Sequence, residues 1–72
     1  MHVICKDGFS MSVINDGMAY CDEGSVEIGF PSEEEPCIMP YAESPHKPTR
    51  TVYGYVPHKV LKEVIDRHGG EI

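Results

Sequence analysis

Seventy-two residues make one domain with one core, and a core of that size rarely nets more than about 3–5 kcal/mol. Apolar residues make up 40% of the chain, which excludes a typical disordered protein. The net charge of −6 is unevenly spread: Asp7, Asp16, Asp22, Glu23, Glu27, Glu33, Glu34, Glu35 and Glu43 follow one another with no Lys or Arg between them, and Lys6, Lys47, Arg50, Lys59, Lys62 and Arg67 all lie outside. Direct nucleic-acid binding is excluded on that pattern, because phosphates need clustered cations.

The chain opens with Met1-His2-Val3-Ile4-Cys5, and charge arrives at Lys6 and Asp7, before an export signal could form. No uncharged stretch is long enough to cross a bilayer. The expectation is a cytoplasmic protein with no membrane partner.

Short apolar runs follow, separated by Lys6-Asp7-Gly8, Asn15-Asp16-Gly17 and Asp22-Glu23-Gly24. Hairpin loops that close on a left-handed glycine read this way. They predict a β-meander over residues 1–30, with strands near 2–5, 9–14, 18–21 and 25–30. Alternation places Phe9, Met11 and Val13 on one face of the second strand, and Val26, Ile28 and Phe30 on one face of the fourth.

Residues 31–50 contain five of the six prolines and read as a Pro-rich acidic loop, with room for a short helical turn at Pro40. Residues 51–56, β-branched and aromatic, predict one late strand. Residues 57–68 predict a helix with Pro57 in its first turn, a stripe of Val60, Leu61, Val64 and Ile65, and a Gly69-Gly70 stop. The fold class is therefore α+β: a small antiparallel sheet with one C-terminal helix packed on one face. Covering the face with Val52 and Val56 would leave Tyr53 and Tyr55 outward.

The residues able to carry chemistry form no complete constellation. Cys37 with His46 or His58 is the only nucleophile-and-base pairing to weigh, and nothing in the spacing brings the groups together. The expectation is a protein that is not an enzyme and holds no cofactor. Cys5, Cys21 and Cys37 are an odd set without a close ligand pair, so they read as small buried hydrophobes and no metal is expected. A zinc staple built from them and the histidines is the alternative. His2 and His68, at opposite ends of the chain, read as solvated.

Two surfaces remain as candidate partner sites. Glu33, Glu34 and Glu35 read as a solvated loop, or, with Asp22, Glu23 and Glu27, as one negative surface. Tyr53 and Tyr55 on an uncovered sheet face invite a partner or a second copy of the chain, unless the 31–50 loop folds over them.

The opening residues 1–13, the segment Thr51-Val52-Tyr53-Gly54-Tyr55-Val56-Pro57 and the closing His68-Gly69-Gly70 resemble small phage and prophage proteins. In size, acidity and lack of enzyme parts the chain is similar to anti-CRISPR proteins. That resemblance implies an inhibitor of a host protein with a basic nucleic-acid-binding groove, contacted through the negative surface. A homodimeric structural or regulatory module joined through the tyrosine face is the alternative, and a zinc-stapled adaptor a further one.

Overall fold

The computed structural model describes residues 1–15 and 24–72. Its elements are β1 (His2–Ile4), β2 (Ser10–Ile14), β3 (Ser25–Gly29), a 3-10 turn (Met39–Tyr41), β4 (Val52–Pro57) and α1 (His58–Arg67). The described strands form one antiparallel sheet in the order β1-β2-β3-β4. This is the expected α+β architecture. The strand expected near 18–21 lies outside the described residues.

The first hairpin closes as its glycine predicts. Gly8 has φ +96°, the Cys5 amide donates to the Phe9 carbonyl at 2.8 Å, and the Phe9 amide donates to Asp7 Oδ1 at 2.9 Å. Val3 pairs with Met11 and Val13 with Ile28, so one sheet face carries Val3, Cys5, Phe9, Met11, Val13, Val26 and Ile28, all buried. The helix lies on that face and contributes the buried Val64; Val60, Leu61 and Ile65 pack against the core while partly exposed. The Pro-rich segment covers the rest of the face through Ile38, which is also fully buried.

Two positions break the predicted alternation. Phe30 is 61% exposed and has φ +49°; this left-handed residue ends β3 and turns its ring away from the core. In β4 the pairs Val26↔Val56 and Ile28↔Tyr53 set two steps of β3 against three of β4. That is a β-bulge, and it reverses the inward side within the strand. Tyr53 and Val56 therefore both point inward, with Tyr53 fully buried, while Tyr55 is 57% exposed at φ +55°. The outward face with two tyrosines does not form. The Pro-rich segment accounts for this: Tyr53 donates its hydroxyl to the Pro48 carbonyl at 2.5 Å, so the buried ring keeps its polar end satisfied.

Pro57 closes β4, paired with Ser25, and caps the helix instead of opening it. Its extended backbone (φ −58°, ψ 146°) suits a strand that runs directly into a helix. At the far end Gly69 and Gly70 take φ +86° and +91°, and the Gly70 amide donates to the Ile65 carbonyl at 2.9 Å. The chain then docks on the first hairpin, with the Lys6 amide donating to Gly70 and the Ile72 amide to Ile4, each at 2.9 Å. Closure of the helix end onto the β1–β2 turn builds the site described next.

Candidate functional site

The helix ends by carrying His68 back over the first hairpin. Its ring stacks on Phe9, centroids 4.1 Å apart and planes 13° from parallel. Nδ1 lies 2.5 Å from Asp7 Oδ2, and Nε2 lies 2.8 Å from Glu35 Oε1. Glu33 Oε1 is 3.9 Å from Nδ1. Three remote pieces of chain meet at one imidazole.

Glu35 is the inner wall. It is 1% exposed, and a buried carboxylate needs several donors. It has them: the Cys37 amide at 2.7 Å to Oε2, Arg67 Nε at 3.3 Å and His68 Nε2 to Oε1. A turn follows at residues 36–38, and through it the Cys37 amide reaches back to the Glu35 carboxylate. Burial pushes the Glu35 carboxyl up, but these hydrogen bonds and the Arg67 charge outweigh it, and the net shift is down. Asp7 is held down by the Phe9 amide and then by His68. Burial pushes His68 down; hydrogen bonds and charge from Asp7 and Glu35 reverse this and raise it.

The sequence reading of His68 and Glu35 as solvated is therefore corrected. The Glu33–Glu35 run is split by the fold: Glu33 faces His68, Glu34 is exposed with its charge felt by the Tyr53 hydroxyl, and Glu35 turns inward. Asp22 and Glu23 lie outside the described residues, so a surface joining them to the loop is not part of this geometry. Glu27 is half-buried and sits opposite the bulge, between the Val26↔Val56 and Ile28↔Tyr53 pairs.

Cys37 follows Glu35 by two residues and carries a thiol. Burial, then the Glu35 charge, pushes it up, away from the thiolate a nucleophile needs. Its neighbour is Glu35, while His46 and His58 are exposed elsewhere. Cys5 is fully buried and raised by burial, then by Asp7. Among the described residues, the group spaced to hold a cation is Asp7, Glu33 and His68, whose donor atoms lie within 4.8 Å of one another; it contains no cysteine.

A second feature lies along β4. The Ala42↔Tyr53 bridge lays residues 41–43 along β4, and the Glu43 amide donates to Val52 at 3.0 Å. Tyr41, Glu43, Val52, Gly54 and the exposed Tyr55 line an open groove of about 330 Å³. Sequence reasoning missed Tyr41 and Glu43; the glycine inside the strand was the available signal of a bulge.

Comparison with protein families, curated proteins and solved structures finds no match to this chain. Among the described residues, no helix is long and apolar enough to cross a membrane.

Proposed function

We propose that this chain is a non-catalytic binding protein that offers the Tyr55–Glu43 groove to a basic surface of a partner protein. The observation that carries the reading is Tyr55 itself: an exposed aromatic held at φ +55° in a groove shared with Glu43. A left-handed conformation costs a tyrosine about 1–2 kcal/mol, and strain of this kind clusters at functional positions. A groove lined by an exposed ring and a carboxylate is suited to a lysine or arginine side chain, by cation–π contact and by charge. Exposed Glu34 and the net charge of −6 extend the same preference.

A partner surface with that chemistry is one that otherwise receives phosphates, so the chain would act as an inhibitor of a nucleic-acid-handling protein. The resemblance to small phage and prophage proteins would make the target a host protein. The test is capture of the target from a host lysate, its identification, and competition between this chain and nucleic acid for it. Tyr55→Asn, which tolerates the left-handed backbone, and Glu43→Lys are expected to weaken the complex at least about tenfold, the effect of 1.4 kcal/mol. A target that binds both variants as tightly, or holds its nucleic acid undisturbed, ends this reading.

A further inference from the structure

We propose that Asp7, Glu33 and His68 form a binding site for a divalent transition-metal cation, with Zn²⁺ best matched to the donors. The nitrogen donor comes preset. His68 is fixed in plane by its stack on Phe9, and Nε2 is turned inward to the buried Glu35 carboxylate. Metal-bound histidines almost always donate their second N–H to such a carboxylate, which fixes the tautomer and strengthens the ligand. With Nε2–H given to Glu35, the Nδ1 lone pair points toward Asp7 Oδ2 and Glu33 Oε1.

Glu35 is in turn anchored by the Cys37 amide and Arg67, so the support extends beyond the ligands. The two carboxylates can adjust. Asp7 and Glu33 have side chains 46% and 63% exposed; Asp7 keeps Oδ1 on the Phe9 amide and offers Oδ2, while Glu33 swings in.

The donor atoms lie within 4.8 Å of one another, so side-chain rotation of under about 1.5 Å brings them to a cation. Zn–N and Zn–O bonds of about 2.0–2.2 Å put neighbouring donor atoms about 3.4 Å apart in a tetrahedron. The present separations from Nδ1 are 2.5 Å and 3.9 Å, one shorter and one longer than that. As the metal–nitrogen bond forms, any proton on Nδ1 leaves to solvent. One imidazole with two carboxylates suits zinc better than Mg²⁺, which prefers oxygen donors and keeps its waters. A bound cation would tie the first hairpin, the Pro-rich segment and the helix end together.

The test is titration of the chelator-treated full chain with ZnCl₂, followed by calorimetry and thermal denaturation. One equivalent should bind, and the melting midpoint should rise by several degrees because the ion binds the folded chain preferentially. Glu33→Gln is distant enough from the packed core to keep the fold, and it should weaken binding at least tenfold. His46→Gln with His58→Gln, which removes two exposed imidazoles, should leave binding intact, and Mg²⁺ should not substitute. No shift with zinc, an equal shift in Glu33→Gln, loss in the His46/His58 variant, or an equal response to Mg²⁺ would overturn the site.

Discussion

At His68 both ring nitrogens face carboxylate oxygens. Carboxylates only accept, and a neutral imidazole has one N–H, so in metal-free protein the ring satisfies both partners only as imidazolium. The charges facing it are Asp7, Glu33 and Glu35, with Arg67 behind Glu35. A raised His68 pKa means stability that is fully present below the ordinary histidine value and is lost as pH rises through the raised value. The lowered Asp7 and Glu35 values work the other way: their contribution is present above the ordinary carboxylate range and is lost as pH falls through the lowered values. Urea denaturation of chelator-treated protein from about pH 3 to about pH 9 should therefore give a maximum between those two windows. His68→Gln should remove the decline on the alkaline side. A variant with the same alkaline limb as the parent would mean that another group titrates there.

Among the elements, β4 is where sequence and structure part most instructively. Its existence was legible from Thr51-Val52-Tyr53, but its facing was not, because period-two alternation assumes an uninterrupted ladder. Gly54 hinted at a bulge; that Tyr55 and not the glycine takes the positive φ depends on pairing with β3. The helix and the first hairpin were legible because their signals are local: an apolar stripe, and a glycine closing a turn. The His68 cluster was not, since its contacts span 61 and 33 residues and nothing local marks Glu35 among its acidic neighbours.

This account of β4 makes opposed predictions for its two tyrosines. Tyr55→Gly should leave stability unchanged or raise it by up to about 1 kcal/mol, since glycine takes positive φ without the Cβ penalty. Tyr53→Phe should lower it by about 0.5–1.5 kcal/mol, through loss of the hydrogen bond to Pro48. In the helix, Val64→Ala should cost about 1.5–3 kcal/mol, and more than Leu61→Ala, since of the helix residues only Val64 is fully buried. Chemical denaturation reads all four, and a Tyr55→Gly loss as large as that of Tyr53→Phe would refute the bulge.

For the molecule as a whole, the issue is whether its charge helps or hinders folding. A net charge of −6 is confined within a radius of gyration of 11.0 Å. The screening length is about 30 Å at 0.01 M salt and about 10 Å at 0.1 M, so at low salt every carboxylate senses the others across the fold. The His68 cluster opposes that repulsion, and its Glu35–His68 pair is shielded from solvent, where salt screens less. Exposed Glu34 and Glu43, which form no salt bridge among the described residues, contribute mainly repulsion. Added NaCl should therefore raise the melting midpoint of the free protein while weakening its complex with a basic partner, two responses of opposite sign from the same charges. Reversing both residues in Glu34→Lys/Glu43→Lys moves the net charge from −6 by four, to about −2. That variant should melt higher than the parent at low salt and respond less to added salt. A parent whose midpoint falls as salt rises would mean that attractive pairs dominate the surface, and the acidic stretch would then be a stabilising feature of the fold and not a cost retained for binding.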